Sequence, residues 1–182
     1  MSTAAPPRSA DLLARAGRVR LACFDVDGTL TDGRLLLDDG GREGKAFHVQ
    51  DGQGLVLLRR AGVMVAFVTA RRGAVAERRA AELGAAVFVG VEDKRACVRA
   101  LCTRHEFALD EVAFMGDDYA DLSAMSVVGL AVAPANAHPW VAARAHWVTQ
   151  ARGGEGAARE LCDLLLHAQG KVDALLAAVD AL

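Results

Sequence analysis

Aromatic side chains are scarce, 5% of 182 residues against 53% hydrophobic residues in all, so the core has to be built from Ala, Val and Leu. Small side chains of that kind suit helices packed closely on a sheet. A dominant sign of charge is also lacking. The formal net charge of −2 offers no field for nucleic acid or acidic lipid, and neither is expected as a partner. Cysteine is sparse, with Cys23, Cys97, Cys102 and Cys162 scattered and no C-x-x-C pair. A zinc site and a disulfide framework are therefore not expected, and a reducing, cytoplasmic setting fits. No apolar run approaches the ~20 residues of a membrane-spanning helix. The first 20 residues carry Pro6, Pro7 and several Arg without the apolar stretch of a secretory signal. No G-x-G-x-x-G follows the first apolar run, and the glycines at 28 and 33 lack the Lys-Ser/Thr that completes a nucleotide P-loop.

What is present is an alternation. Short apolar runs at 19–26, 63–69, 86–89, 112–115, 128–133 and, more weakly, 146–149 read as strands. Between and after them, 54–60, 74–83, 94–105, 119–125, 157–167 and 172–179 have helical character, and His138-Pro139 reads as a helix start. Strands apolar throughout and alternating with helices predict an α/β fold, an open parallel sheet covered on both faces. One segment interrupts the pattern. Residues 35–37, a turn at Asp38-Asp39-Gly40-Gly41, and residues 45–49 predict an inserted β-hairpin, within about 33–49. Residues 1–18 read as a polar leader and 19–182 as one domain. The basic, Gly-rich stretch Ala151-Arg152-Gly153-Gly154-Glu155-Gly156 reads as flexible and opens a tail, about 151–182, that continues into the last two helices.

The chemistry sits at strand ends. Asp25 and Asp27 close the first apolar run just before Gly28; two residues apart on a strand, they share a face. A bare D-x-D-G is more often a solvated acidic turn. Here, however, Thr69 with Arg71 closes the second run, Lys94 opens the helix after the third, and Gly116-Asp117-Asp118 closes the fourth, with Asp121 four residues after Asp117. Ligands of open parallel sheets bind beyond the carboxyl ends of the strands, so these groups converge on one rim. Clustered carboxylates repel unless a cation lies among them, and oxygen donors without His or Cys indicate Mg²⁺ rather than zinc. Thr69 and Lys94 add a hydroxyl and a positive charge for phosphoryl oxygens.

Asp25-x-Asp27-Gly28-Thr29, Thr69, Lys94 and Gly116-Asp117-Asp118-x-x-Asp121 resemble, in order, the four motifs of the haloacid dehalogenase superfamily, over residues 21–149. The resemblance implies a Mg²⁺-dependent phosphatase on a Rossmann-like sandwich. Asp25 would be the nucleophile and Asp27 the general acid and base. Asp25, Asp27 through its carbonyl, and Asp117 would hold the metal with help from Asp118 and Asp121, and Thr69 and Lys94 would bind the phosphoryl group.

Asp27 to Gly33, Lys45 to Gly52, Arg152 to Ala157 and Cys162-Asp163-Leu164-Leu165 further resemble a group that hydrolyses 3-deoxy-D-manno-octulosonate 8-phosphate for lipopolysaccharide synthesis. That likeness implies a hairpin in place of a cap domain, a homotetramer assembled through the hairpins, and a sugar-phosphate substrate. Its site would be lined by Asp27, His48, Val49, Gln50, Asp51, Gly52, Thr69, Arg71, Arg79 and Lys94, with Arg152 closing over a neighbouring subunit. Ala70, His48, Gln50 and Val56 depart from that group's usual residues. Two alternatives stay open: a phosphatase for a nonulosonate 9-phosphate or another sugar phosphate, and a catalytically silent oligomerisation module.

Overall fold

In the computed structural model, residues 9–180 are described; the first eight residues of the expected leader and the last two of the tail lie outside them. Six parallel strands form the sheet: β1 (Leu21–Phe24), β4 (Met64–Val68), β5 (Ala86–Phe88), β6 (Val112–Met115), β7 (Leu130–Ala133) and β8 (Trp147–Val148). Their order is β5-β4-β1-β6-β7-β8. The chain leaves central β1 toward one edge and later returns to its other side, which makes the carboxyl end of β1 a topological switch point.

The strands are apolar throughout because both faces are covered. Ala22 and Phe24 of β1 face a core shared with α1 (Ala10–Arg18), α2 (Val49–Arg60), α3 (Ala74–Leu83) and α7 (Ala157–Ala168). Leu21 and Cys23 face a second core with α4 (Lys94–His105), α5 (Leu122–Met125) and α6 (Pro139–Ala142). A last helix, α8 (Val172–Asp180), follows. Among the described residues, no helix is long and apolar enough to cross a membrane.

Several elements differ from expectation. Residues 10–18 of the expected leader form helix α1, capped by the Ser9 hydroxyl accepting from Leu12 N–H, and Leu12 and Ala16 enter the core. Helix α2 begins at Val49, five residues before the expected start, despite Gly52 and Gly54. A side chain at Gly54 would press on Arg159 and Cys162 of α7, so close helix packing overrides the low helix propensity of glycine. Residues 119–125 are a 3₁₀ turn (Tyr119–Asp121) running into the short α5.

The hairpin is real but shorter. β2 (Leu36–Leu37) pairs antiparallel with β3 (Glu43–Gly44), not with residues 45–49. Lys45 leaves the ladder because its amine turns inward to two carboxylates.

The expected helix after the Gly-rich stretch is α7, and it is part of the core. Ala157, Ala158, Leu161, Cys162 and Leu164–Leu166 of α7 are all buried. Each buried leucine is worth about 1.5–3 kcal/mol, so deleting the chain from Arg152 would remove core rather than a lid.

Candidate active site

The rim beyond β1, β4 and β6 collects the expected acidic groups. Asp25 follows β1 directly, and its N–H donates to Met115 O at 2.9 Å, which ties it to β6. Carboxylate oxygens of Asp25, Asp117 and Asp121 all lie within 4.8 Å of one another. Lys94, at the first turn of α4 and only 2% exposed, donates to Asp25 Oδ1 at 2.7 Å and to Asp121 Oδ1. Asp121 Oδ2 accepts the backbone N–H groups of Asp117 and Asp118 at 3.0 and 3.1 Å. With both oxygens engaged, Asp121 orients the cluster, while Asp25 and Asp117 are left to offer oxygens to a ligand.

The backbone makes room for this cluster at one position above all. Gly28 has φ +90°, and a side chain there would fall on the Asp117 carboxylate. Only glycine satisfies both the conformation and the contact. Beside it, Thr29 Oγ1 donates to Asp117 Oδ1 at 2.9 Å, which fixes the carboxylate in rotation.

Electrostatically the cluster is short of positive charge. At an effective dielectric of ~20, two carboxylates ~4 Å apart repel by about 4 kcal/mol. Burial pushes Asp117 up to about 7, and Asp121 adds to the rise against the Thr29 bond that lowers it. Burial likewise raises Asp25, with Asp121 adding and Lys94 opposing. One lysine does not neutralise three carboxylates, two of them buried and Asp117 half-buried. An all-oxygen donor set with surplus negative charge fits a hard divalent cation, and Asp25 and Asp117 are the residues placed to hold it.

Not every expected ligand joins them. Asp118 is exposed, and its carboxylate caps the following turn by accepting Tyr119 N–H at 2.7 Å. The Asp27 carboxylate faces the hairpin, where Oδ1 accepts from the Lys45 amine. Lys45 also pairs with Glu43 Oε1 at 2.6 Å, and Arg71 reaches Glu43 Oε2 at 2.5 Å. Burial opposes the charge on Lys45, but its bonds to Asp27 and Glu43 outweigh that and hold its pKa above the ordinary value. The Arg71 and Lys45 bonds hold Glu43 down to about 2.

Thr69, 3% exposed, directly follows β4, and its hydroxyl accepts Arg71 N–H at 3.2 Å. A cleft of about 250 Å³ opens here, with Glu43, Lys45, Thr69, Arg71 and Arg72 in its wall.

The hairpin-to-helix segment divides. Val49 and Gln50 are exposed. His48 precedes α2, and its Nδ1 lies 4.0 Å from Asp51 Oδ2 without a hydrogen bond. Asp51, 2% exposed, accepts Arg159 N–H at 2.7 Å and Gly156 N–H at 3.3 Å, so it anchors the start of α7. Arg79 packs over the Phe47 ring and against Gly52, pairing with Glu82. His48, Asp51, Gly52 and Arg79 border a crevice of their own, apart from the carboxylate cluster.

The tail reaches the rim through its backbone. A side chain at Gly153 would collide with Gly28 O, so glycine permits two backbones to touch. Asn136 clamps them: its Nδ2 donates to Gly28 O at 2.9 Å and its Oδ1 accepts Gly153 N–H at 2.5 Å. Arg152 remains exposed beside this contact.

Lys45, Asn136 and the anchoring role of Asp51 escaped sequence reasoning. The run Lys45-Ala46-Phe47-His48 was the one available signal, and it did not reveal the partners.

This architecture, an acidic rim at the carboxyl ends of a parallel sheet, belongs to a recognisable class of hydrolase. Residues 87–161 match the model of the haloacid dehalogenase-like hydrolases. The 3-deoxy-D-manno-octulosonate 8-phosphate phosphatase of Escherichia coli K12 is 42% identical over 174 residues, covering 95% of this chain and 93% of that protein. Among solved structures, a hypothetical protein of Xanthomonas campestris superposes with a TM-score of 0.92 at 61% identity, over 93% of both chains. The 3-deoxy-D-manno-octulosonate 8-phosphate phosphatase of Moraxella catarrhalis, solved with magnesium, phosphate and KDO, gives a TM-score of 0.91 at 36% identity, over 94% of this chain and 99% of that one. The chain therefore belongs to the haloacid dehalogenase phosphatases, in the family of the 3-deoxy-D-manno-octulosonate 8-phosphate phosphatases.

Proposed function

We propose that this chain is a Mg²⁺-dependent phosphomonoesterase that hydrolyses 3-deoxy-D-manno-octulosonate 8-phosphate to the free sugar acid and phosphate. The observation that carries the reading is the meeting of Asp25, Asp117 and Asp121 within 4.8 Å, with Lys94 against two of them. The choice of sugar rests on the likeness to the Escherichia coli and Moraxella catarrhalis enzymes.

Asp25 attacks phosphorus, and the bond from phosphorus to the leaving oxygen breaks. Asp27 gives its proton to that oxygen, which departs as the alcohol and leaves an aspartyl-phosphate. Asp27, now a carboxylate, takes a proton from water as the water oxygen attacks phosphorus. The acyl-phosphate bond breaks, and Asp25 is restored with release of phosphate. Lys94 and Thr69 hold the phosphoryl oxygens. Magnesium, held by Asp25, the Asp27 carbonyl and Asp117, would neutralise charge and let a carboxylate approach a phosphate dianion. Asp118 stays at the margin of that set.

The hairpin leaves Leu35, Leu36 and Leu37 at 47, 55 and 65% exposure, an apolar edge suited to assembly of a homotetramer in the cytoplasm. In such an assembly the exposed Val49, Gln50, Arg71 and Arg152 are the groups available to a sugar acid, with His48 beside them.

Phosphate release across 8-phospho and 9-phospho keto-sugar acids, with and without Mg²⁺, tests the reading. The highest kcat/KM is expected for the eight-carbon substrate, with loss of turnover in chelator. A preference for the nine-carbon substrate would reassign the sugar. No Mg²⁺-dependent release from any of them would favour the silent oligomerisation module.

A further inference from the structure

The Lys45 side chain is 5% exposed and arrives from the hairpin rather than the sheet, and its amine is spent on two carboxylates. One is Asp27 Oδ1; the other, Glu43, is in turn gripped by Arg71. Asp27 Oδ2 is buried and has no hydrogen-bond partner, with Arg71 Nε 3.9 Å away. A half-buried carboxylate with one oxygen fixed and the other buried and unsatisfied is costly unless something completes it. A leaving oxygen does so.

We propose that Lys45 is a positioning residue for leaving-group protonation. By holding Oδ1 it fixes the rotation of the Asp27 carboxyl and reserves Oδ2 for the leaving oxygen. Glu43 and Arg71 transmit hairpin docking to that carboxyl, so the acid is correctly set only when the hairpin is seated. The inference rests on Asp27 being the general acid, as proposed above. An amine that merely stapled the hairpin would not discriminate between substrates. One that orients the acid matters most when the leaving alkoxide is a poor one.

The test is kcat/KM for Lys45→Met, Lys45→Arg and Asp27→Asn on two substrates: the sugar phosphate, whose alcohol needs protonation, and p-nitrophenyl phosphate, whose phenolate does not. Asp27→Asn should lose kcat/KM selectively on the sugar phosphate, since kcat/KM ends at aspartyl-phosphate formation and leaves out the shared hydrolysis step in which Asp27 is the base; if it loses both equally, the general-acid reading itself fails. With that control met, Lys45→Met should lower kcat/KM by about 30-fold on the sugar phosphate and less than about 3-fold on p-nitrophenyl phosphate. Lys45→Arg should recover part of the loss. Equal loss on both substrates, or none, would overturn the role of Lys45. Should Lys45→Met fail to fold, Glu43→Gln reads the same selectivity, smaller in size, and its absence there overturns the proposal equally.

Discussion

The acidic rim and the hairpin are held in opposite ways. Asp25, Asp117, Asp121 and Lys94 hang from the ends of buried strands and a helix start, interlocked by hydrogen bonds and by a glycine that admits Asp117. The hairpin pairs two residues with two, leaves three leucines exposed, and is tied to the rim through Lys45, Glu43 and Arg71. Chemistry common to a class can sit on a rigid frame. A piece held by a few charges can change without disturbing that frame.

The largest expected break is on the rigid side. Asp25→Asn should cut phosphate release by about 10³-fold or more while circular dichroism shows the fold retained, because the nucleophile is lost and the sheet is not.

Next in size is the tail anchor. Asp51→Ala removes the acceptor for Gly156 and Arg159 N–H, and should lower stability by about 1–3 kcal/mol in a denaturant titration. If α7 did not depend on this anchor, the variant would unfold like the wild type.

A smaller effect separates the two regions by pH. Asp117 has its folded pKa raised to about 7 from 3.8, so its contribution favours the metal-free fold below 3.8 and is lost as pH rises through 7. Bound Mg²⁺ favours the ionised form. The rise in Tm on adding Mg²⁺ should therefore grow from pH 5.5 to pH 8 in thermal melts. Glu43 runs the other way. Its pKa is lowered to about 2 from 4.5, so its contribution is complete above 4.5 and is lost as pH falls through 2. Acid should loosen the hairpin link over that lower window alone.

These contrasts also mark what could be read from sequence. Strands buried on both faces are continuous apolar runs, and the run at 112–115 coincides with β6. Asp25, Thr69, Lys94 and Asp117 announce themselves because each closes a strand or opens the helix after one. Lys45, Asp51 and Asn136 do not, because each acts on a partner 17 to 108 residues away in sequence. Helix α1 was hidden in a charged segment where only Leu12 and Ala16 are buried. The start of α2 was hidden by glycines whose reason for being there is α7 and Arg79. Local pattern reports burial; it does not report who lies on the other side.

A crystal grown with Mg²⁺ and a phosphoryl analogue tests the central claim most directly. One ion touching the carboxylates of both Asp25 and Asp117, with the analogue against Asp25 and Lys94, is the predicted result. An ion bound without Asp117, or an analogue seated away from Asp25, would contradict it.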